Sequence, residues 1–215
     1  MRWVLAWLWL TLSGTAAAQD YPALFDVVGV ARNDELFVRT GPGTEFEIIG
    51  SFEHDRQNIE VIRPDDDLQW GQVNLGETSG WVSLAFLERP NGPKSAGPDI
   101  RQCFGTEPFW SLAVNPPRIT YSAPDIAPRE GLLSSFYRSR SRSDRYAEIG
   151  SFFPSELGDR DIHLSIRVEA CSDGMSDRNY GIAVDMLLTD PSFGADRTMT
   201  GLYSGCCSLT PPPGE

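Results

Sequence analysis

Apolar residues along the chain recur at every second position far more often than at helical spacing. Ile162, Leu164, Ile166, Val168 and Ala170 alternate with His163, Ser165, Arg167 and Glu169, which predicts a strand with the first set facing inward. Ile182, Val184, Met186 and Leu188 repeat the pattern, as do Trp110, Leu112 and Val114, then Ile119 and Tyr121 after Pro116-Pro117. A turn over 190–196 leads into a last strand, 197–207. No stretch beyond residue 20 has a convincing helical period. Residues 100–209 therefore read as an antiparallel meander closing into a barrel-like sheet.

Shorter runs precede it. Residues 25–31, 35–38, 48–52, 59–63, 69–75 and 80–83 are strand-like, and between them lie Asn33-Asp34, Gly41-Pro42-Gly43, Asp65-Asp66-Asp67 and Gly76-Glu77. That punctuation predicts a small β-barrel or sandwich over 25–89. Residues 89–98 contain three prolines and two glycines, which fit neither a ladder nor a helix, so 90–99 reads as an inter-domain linker. Residues 210–215, with Pro-Pro-Pro-Gly, read as a loose tail. The fold class expected is all-β: two small barrels in series.

Composition adds the compartment. Arg2, an apolar run over 3–12 and Ala16-Ala17-Ala18 have the layout of a cleaved export signal over 1–18, too short to span a membrane and remain there. A periplasmic or secreted chain without stable membrane insertion is expected. The net charge of −12 makes nucleic acid a poor partner. In an oxidising compartment the four cysteines, Cys103, Cys171, Cys206 and Cys207, read as disulfides, and four cysteines allow three pairings. There is no Ser/His/Asp arrangement, phosphate loop or ligand-spaced histidine cluster. No cofactor, metal or catalytic residue is therefore expected. His54 and His163 read as surface residues, and Asp65 to Asp67 as a turn.

The residues of the first region resemble the bacterial SH3 domain: GVARNDELFVRTGPGTEFEIIGSF, then IEVI, WGQV and SGWVSLAFLE follow that family's motif order. Phe37 stands where the family has Asn, and Phe86 where Tyr is common. The resemblance implies binding of peptidoglycan, cell-wall peptides or an envelope protein. Exposed aromatic rings are the means, because flat rings bind sugars and extended backbones at low entropic cost. Phe46, Trp70, Trp81 and Phe86 are the candidates. Trp70 and Trp81 are also natural core or half-buried residues of such a barrel, and that reading carries more weight for each.

The second region resembles a largely uncharacterised family of exported bacterial domains through Cys103-Phe-Gly-Thr-Glu-Pro-Phe-Trp110, Cys171-Ser-Asp-Gly-Met-Ser-Asp177 and Gly205-Cys206. That likeness implies little about function. Its architecture is also similar to small periplasmic barrels related to lysozyme inhibitors. Glu107, ahead of an apolar strand, reads as half-buried with a raised pKa, either an acid or, with more weight, a structural acceptor. Phe109 and Trp110 complete that motif, and Asp173 and Asp177 read first as turn residues and second as a cation site. Arg138, Arg140 and Arg142 at strand spacing form a basic stripe, for gripping acidic wall groups or, with more weight, for protecting a solvated edge. Adjacent strand residues face opposite ways, so Cys206 and Cys207 are expected in separate bridges. The Gly205-Cys206 motif favours 171–206 with 103–207.

These readings converge on an exported, non-enzymatic, disulfide-stapled module that docks on the cell wall. The alternatives are an inhibitor of a wall hydrolase acting through residues 100–209, and a thiol-redox or other enzyme.

Overall fold

The computed structural model describes residues 21–92, 95–124, 126–153, 161–189 and 200–211. The export signal, the turn at 190–196 and most of the tail lie outside them. The described residues form a small two-sheet β unit, called the first barrel below, and a closed eight-stranded barrel, and no helix among them is long and apolar enough to cross a membrane.

The first barrel comprises β1 (Ala23–Val27), β2 (Glu35–Arg39), β3 (Ile48–Glu53), β4 (Ile59–Val61), β5 (Arg63–Pro64), β6 (Trp70–Leu75), β7 (Thr78–Ser83) and β8 (Leu87–Glu88), with a 3-10 turn over Leu84–Phe86. Its two sheets are ordered β4-β1-β8 and β3-β2-β7-β6-β5. Leu36, Val38, Val61, Val73 and Val82 meet Phe25 between the sheets. β1 is shorter than the expected strand over 25–31, because the chain turns after Val27 through Gly29 at φ +72°. The Asp65 turn is as expected: its carboxylate accepts the amides of Gln69 and Trp70, both at 2.8 Å.

The second barrel is an eight-stranded antiparallel meander: β9 (Gln102–Thr106), β10 (Phe109–Asn115), β11 (Arg118–Ala123), β12 (Ile126–Arg138), β13 (Arg145–Phe152), β14 (Ile162–Cys171), β15 (Tyr180–Leu188) and β16 (Gly201–Ser208). Each strand pairs with the next, and β9 pairs with β16 to close the ring. Eight strands enclose a space that side chains fill. Leu112, Ile119, Tyr121, Phe152, Ile162, Ile166, Ile182, Val184 and Met186 occupy it, all within 1% of full burial. The rings of Tyr121 and Phe152 meet edge to face at 6.2 Å.

Trp110 shows why two motif glycines are where they are. Gly105 is its cross-strand partner and Gly205 lies beside it on β16. A Cβ on Gly105 would run into the indole, and one on Gly205 into the Phe104 carbonyl as well as the indole. The ring is seated in a slot that only hydrogen side chains leave open.

Two local expectations change. Inward alternation along β14 stops at Ile166: Val168 is half-buried and Ala170 exposed, because a register shift between Val168 and Cys171 carries the strand out of the barrel wall. Arg140 and Arg142 are not on a strand; residues 139–144 form the turn between β12 and β13. Those two long strands escape the periodicity argument, since a bulge between Leu133 and Ser135 resets the alternation.

Both disulfides have the favoured pairing. Cys207 bonds to Cys103, its directly opposed partner on β9, with Cα atoms 4.0 Å apart and both residues fully buried inside the barrel. Cys206 faces outward and bonds to Cys171, at the base of the β14–β15 hairpin. That bridge holds the hairpin tip against the outer wall, where the Thr106 hydroxyl donates to the Asp173 carbonyl at 2.9 Å and Phe104 meets the ring of Tyr180.

The same hairpin tip joins the barrels. The Asp177 amide donates to the Glu77 carbonyl at 3.0 Å, and the Asn179 amide to Asn74 Oδ1 and Ser79 Oγ. Arg178 donates to the Gly76 carbonyl at 2.6 Å and to the Glu77 carboxylate at 2.9 Å. Nearby, the outer face of the β4-β1-β8 sheet lies on the second barrel. Leu24 packs against the second core, and Gly181 leaves just enough room for Pro22 and the Ile62 carbonyl. The intervening segment follows the surface: Arg89 lies over the rings of Tyr21 and Phe25, Gly97 against Phe136, and Ile100 enters the second core.

Candidate functional site

The three-stranded sheet of the first barrel faces the second barrel, while the five-stranded sheet meets it only at the β6–β7 end, through Asn74 and Ser79, and its row at Gln72 and Trp81 lies beyond that contact. On β6 and β7, Gly71, Val73, Gly80 and Val82 are buried, so Trp70, Gln72, Trp81 and Ser83 point the other way. Strand pairing then sets Arg63, Gln72, Trp81 and Arg39 in one row across β5, β6, β7 and β2. The row is held together by its own contacts. Arg63 lies over the Trp81 ring with its guanidinium carbon 4.9 Å from the centroid, and its Nε donates to Gln72 Oε1 at 2.8 Å. Beneath them Gln72 is 8% exposed, a polar side chain satisfied by its neighbour.

Arg39 extends the row into the loop before β3. Its guanidinium donates to the carbonyls of Thr44 and Phe46, at 2.9 and 2.8 Å, and so fixes the loop carrying Phe46, whose ring lies over Gly41. Phe37 and Ile48 stand on the same outward face, 43% and 45% exposed. The result is a patch of aromatic and aliphatic surface framed by two arginines whose positions are set from behind. Flat apolar faces beside fixed guanidinium groups can stack on sugar rings or peptide backbone while pairing with carboxylates.

The structure thus brings together Trp70, Trp81 and Phe46, all half-buried or exposed, and leaves out Phe86. Phe86, 41% exposed, stands near Gly29 beside the other sheet. Arg39, Arg63, Phe37 and Ile48 were not among the residues expected from the sequence. The signal was present in the alternation of Leu36 and Val38 with Phe37 and Arg39, but which face lies open depends on how the barrels dock.

The motif residues of the second barrel do not form one site. Glu107 and Phe109 are exposed at the β9–β10 turn, which corrects the expectation of a half-buried Glu107: it lies in the turn ahead of β10 rather than on the inward face of a strand. Trp110 belongs to the core. Asp173 is a turn residue, with Oδ1 accepting the amides of Met175 and Ser176 and Oδ2 the Ser176 hydroxyl at 2.7 Å. Burial acts to raise its pKa, but the Ser176 and Met175 amides outweigh it and hold the carboxyl below its ordinary value. Asp177 serves the seam between barrels. No group of three or more potential metal ligands occurs among the described residues.

The basic turn is neutralised in part from within, at Arg142 and Arg145, while Arg138 and Arg140 are exposed. Arg142 pairs in two-pronged fashion with Asp144, at 2.9 and 2.8 Å. Arg145 joins Asp144 to Glu169, Arg167 joins Glu169 to Asp185, and Asp185 accepts from Ser204. This ladder laces β13 to β16 across the barrel's outer wall.

A stretch of 100 residues, 46% of this chain, is 31% identical to the putative N-acetylmuramoyl-L-alanine amidase YrvJ of Bacillus subtilis (strain 168). The match spans 18% of that protein's length. No family profile matches the chain, and no solved structure matches it.

Proposed function

We propose that the chain is an envelope module that docks on the bacterial cell wall through the open face of its first barrel. The carrying observation is the row Arg63–Gln72–Trp81–Arg39 with the rings around it. The wall polymer offers sugar rings, extended peptide and carboxylates, and this face presents a complement to each. The all-β fold with two disulfides suits an oxidising compartment. The similarity to a putative wall amidase points the same way. Arg39 and Arg63 offer guanidinium groups to the carboxylates of the polymer, so the arginine-dependent part of binding weakens as salt rises.

Co-sedimentation with purified peptidoglycan sacculi is the test. The wild-type protein is expected in the pellet at about 0.15 M salt, with at least a tenfold loss of retention for Trp81→Ala and for Arg63→Ala, each about 1.4 kcal/mol. Wild-type protein remaining in the supernatant, or variants retained equally, would reject the proposal.

A further inference from the structure

Glu60 is a carboxylate enclosed in the seam between the barrels with half of its bonding capacity unused. Oε2 accepts the Ser208 hydroxyl and, at 3.1 Å, the Leu209 amide, both from the second barrel. Oε1 is shut off from solvent and has no hydrogen-bond partner among the described residues. Its cross-strand neighbour Leu24 is the residue inserted toward the second core. An enclosed ionised oxygen without a partner is costly, and a neutral carboxyl is far less so.

The charged neighbours do not remove that cost. Glu60, half-buried as a residue, itself lines a cleft of about 560 Å³ with Arg56, Arg178 and Tyr180, but neither arginine forms an ion pair with it. Arg178 is committed to Glu77. On β1, Asp26 accepts the Asn58 amide, and ahead of β9 Arg101 pairs with Asp99. The second barrel's closing segment offers Glu60 only Ser208, Leu209 and Thr210, all uncharged.

We propose that Glu60 is a proton-controlled latch, holding the two barrels together when its carboxyl is protonated and loosening the seam when it ionises. Burial, opposed by the Ser208 hydroxyl and by the backbone of Leu209 and Thr210, pushes its pKa up from 4.5 to about 7. The docked state therefore binds this proton more tightly than the undocked state. Its contribution to docking is complete below about pH 4.5 and is lost as pH rises through about 7. Loosening would expose Leu24 and Leu209, so the latch couples envelope acidity to an apolar surface. This inference is independent of the wall-binding face.

Hydrogen exchange of three amides that donate across the seam, Leu209, Asp177 and Asn179, provides the test. Protection factors are the suitable readout, because Glu148 is also pushed up by burial and would contribute to whole-protein melting. Between pH 5.5 and 8, protection at these amides is expected to fall by about 30-fold in the wild type. In Glu60→Gln, which keeps the shape without the charge, it should stay level. A pH-independent wild type, or a variant that keeps the fall, overturns the latch. Should the variant fail to fold, carbon-13 titration of the wild-type Glu60 carboxyl decides: a midpoint near 7 supports the latch and one near 4.5 overturns it.

Discussion

Cys206 and Cys207 are consecutive residues of β16, yet their sulfurs leave the strand on opposite sides and reach partners 35 and 104 positions away. One bridge lies in the barrel's interior and ties its first strand to its last. The other lies outside and anchors the hairpin that touches the neighbouring barrel. A pair that could have been a reactive dithiol is divided between two structural tasks.

The two bridges should therefore fail differently. In the chain-entropy picture the Cys103–Cys207 loop is worth about 4.7 kcal/mol and the Cys171–Cys206 loop about 3.8 kcal/mol. Replacing the first pair with serine should lower the denaturant midpoint of the whole second barrel. Replacing the second should cost less and also release the seam, read as faster exchange at Asp177 and Asn179. Equal loss of seam protection in both double variants would contradict the division.

The Trp110 slot gives a second expectation. Gly205→Ala drives a methyl into backbone, which cannot yield as a flexible side chain can, and should cost about 2 kcal/mol or more. Trp110→Ala should cost about 3–5 kcal/mol by leaving a cavity. Chemical denaturation of each variant checks both, and a Gly205→Ala protein as stable as wild type would contradict a slot closed to a methyl group.

Docking of the barrels can be loosened without touching either core. Gly181 faces outward with Pro22 Cδ 3.0 Å from where a Cβ would sit, so Gly181→Val should displace the first barrel. Small-angle scattering should show a larger radius of gyration, while circular dichroism retains the all-β signature. An unchanged radius would show that the seam accommodates the added bulk.

The outer ladder should be sensitive to acid. Hydrogen bonds from Arg167 and Ser204 hold the Asp185 carboxyl below its ordinary value against the opposing effect of burial, and Arg167 does the same for Glu169. Their contribution is present above the ordinary carboxylate range and is lost as pH falls through the lowered values. Arg167→Met should cost no more than about 1 kcal/mol at neutral pH and remove part of the acid sensitivity. Stability of the two proteins measured from pH 7 to pH 3 tests this; parallel curves would contradict it.

The parts legible in the sequence are those where one physical rule acts alone. Ile162, Leu164 and Ile166 alternate cleanly because one side of β14 meets core and the other water. The opposed facing of Cys206 and Cys207 follows from the same period of two. Where two rules compete, the pattern blurs. β12 carries a bulge that flips its register midway, so Leu132 and Leu133 read as no strand at all. At the candidate site, Trp81 could be singled out by residue type, whereas Arg63 and Arg39 become partners only through strand pairing over long separations. Glu60 looked like one more polar residue in an alternating run. Its burial comes from a second barrel whose approach no local pattern encodes.

The most direct test of wall docking uses the tryptophans themselves. A chain lacking residues 1–18 retains only Trp70, Trp81 and Trp110, hence three indole N–H signals in a nitrogen-15 spectrum. Trp81 and Trp70 share the open face, while Trp110, 4% exposed inside the second barrel, serves as an internal control. Titration with solubilised peptidoglycan fragments should shift the Trp81 signal most and the Trp70 signal measurably, with Trp110 unmoved. Three unmoved signals at saturating fragment, or a response confined to Trp110, would contradict the account.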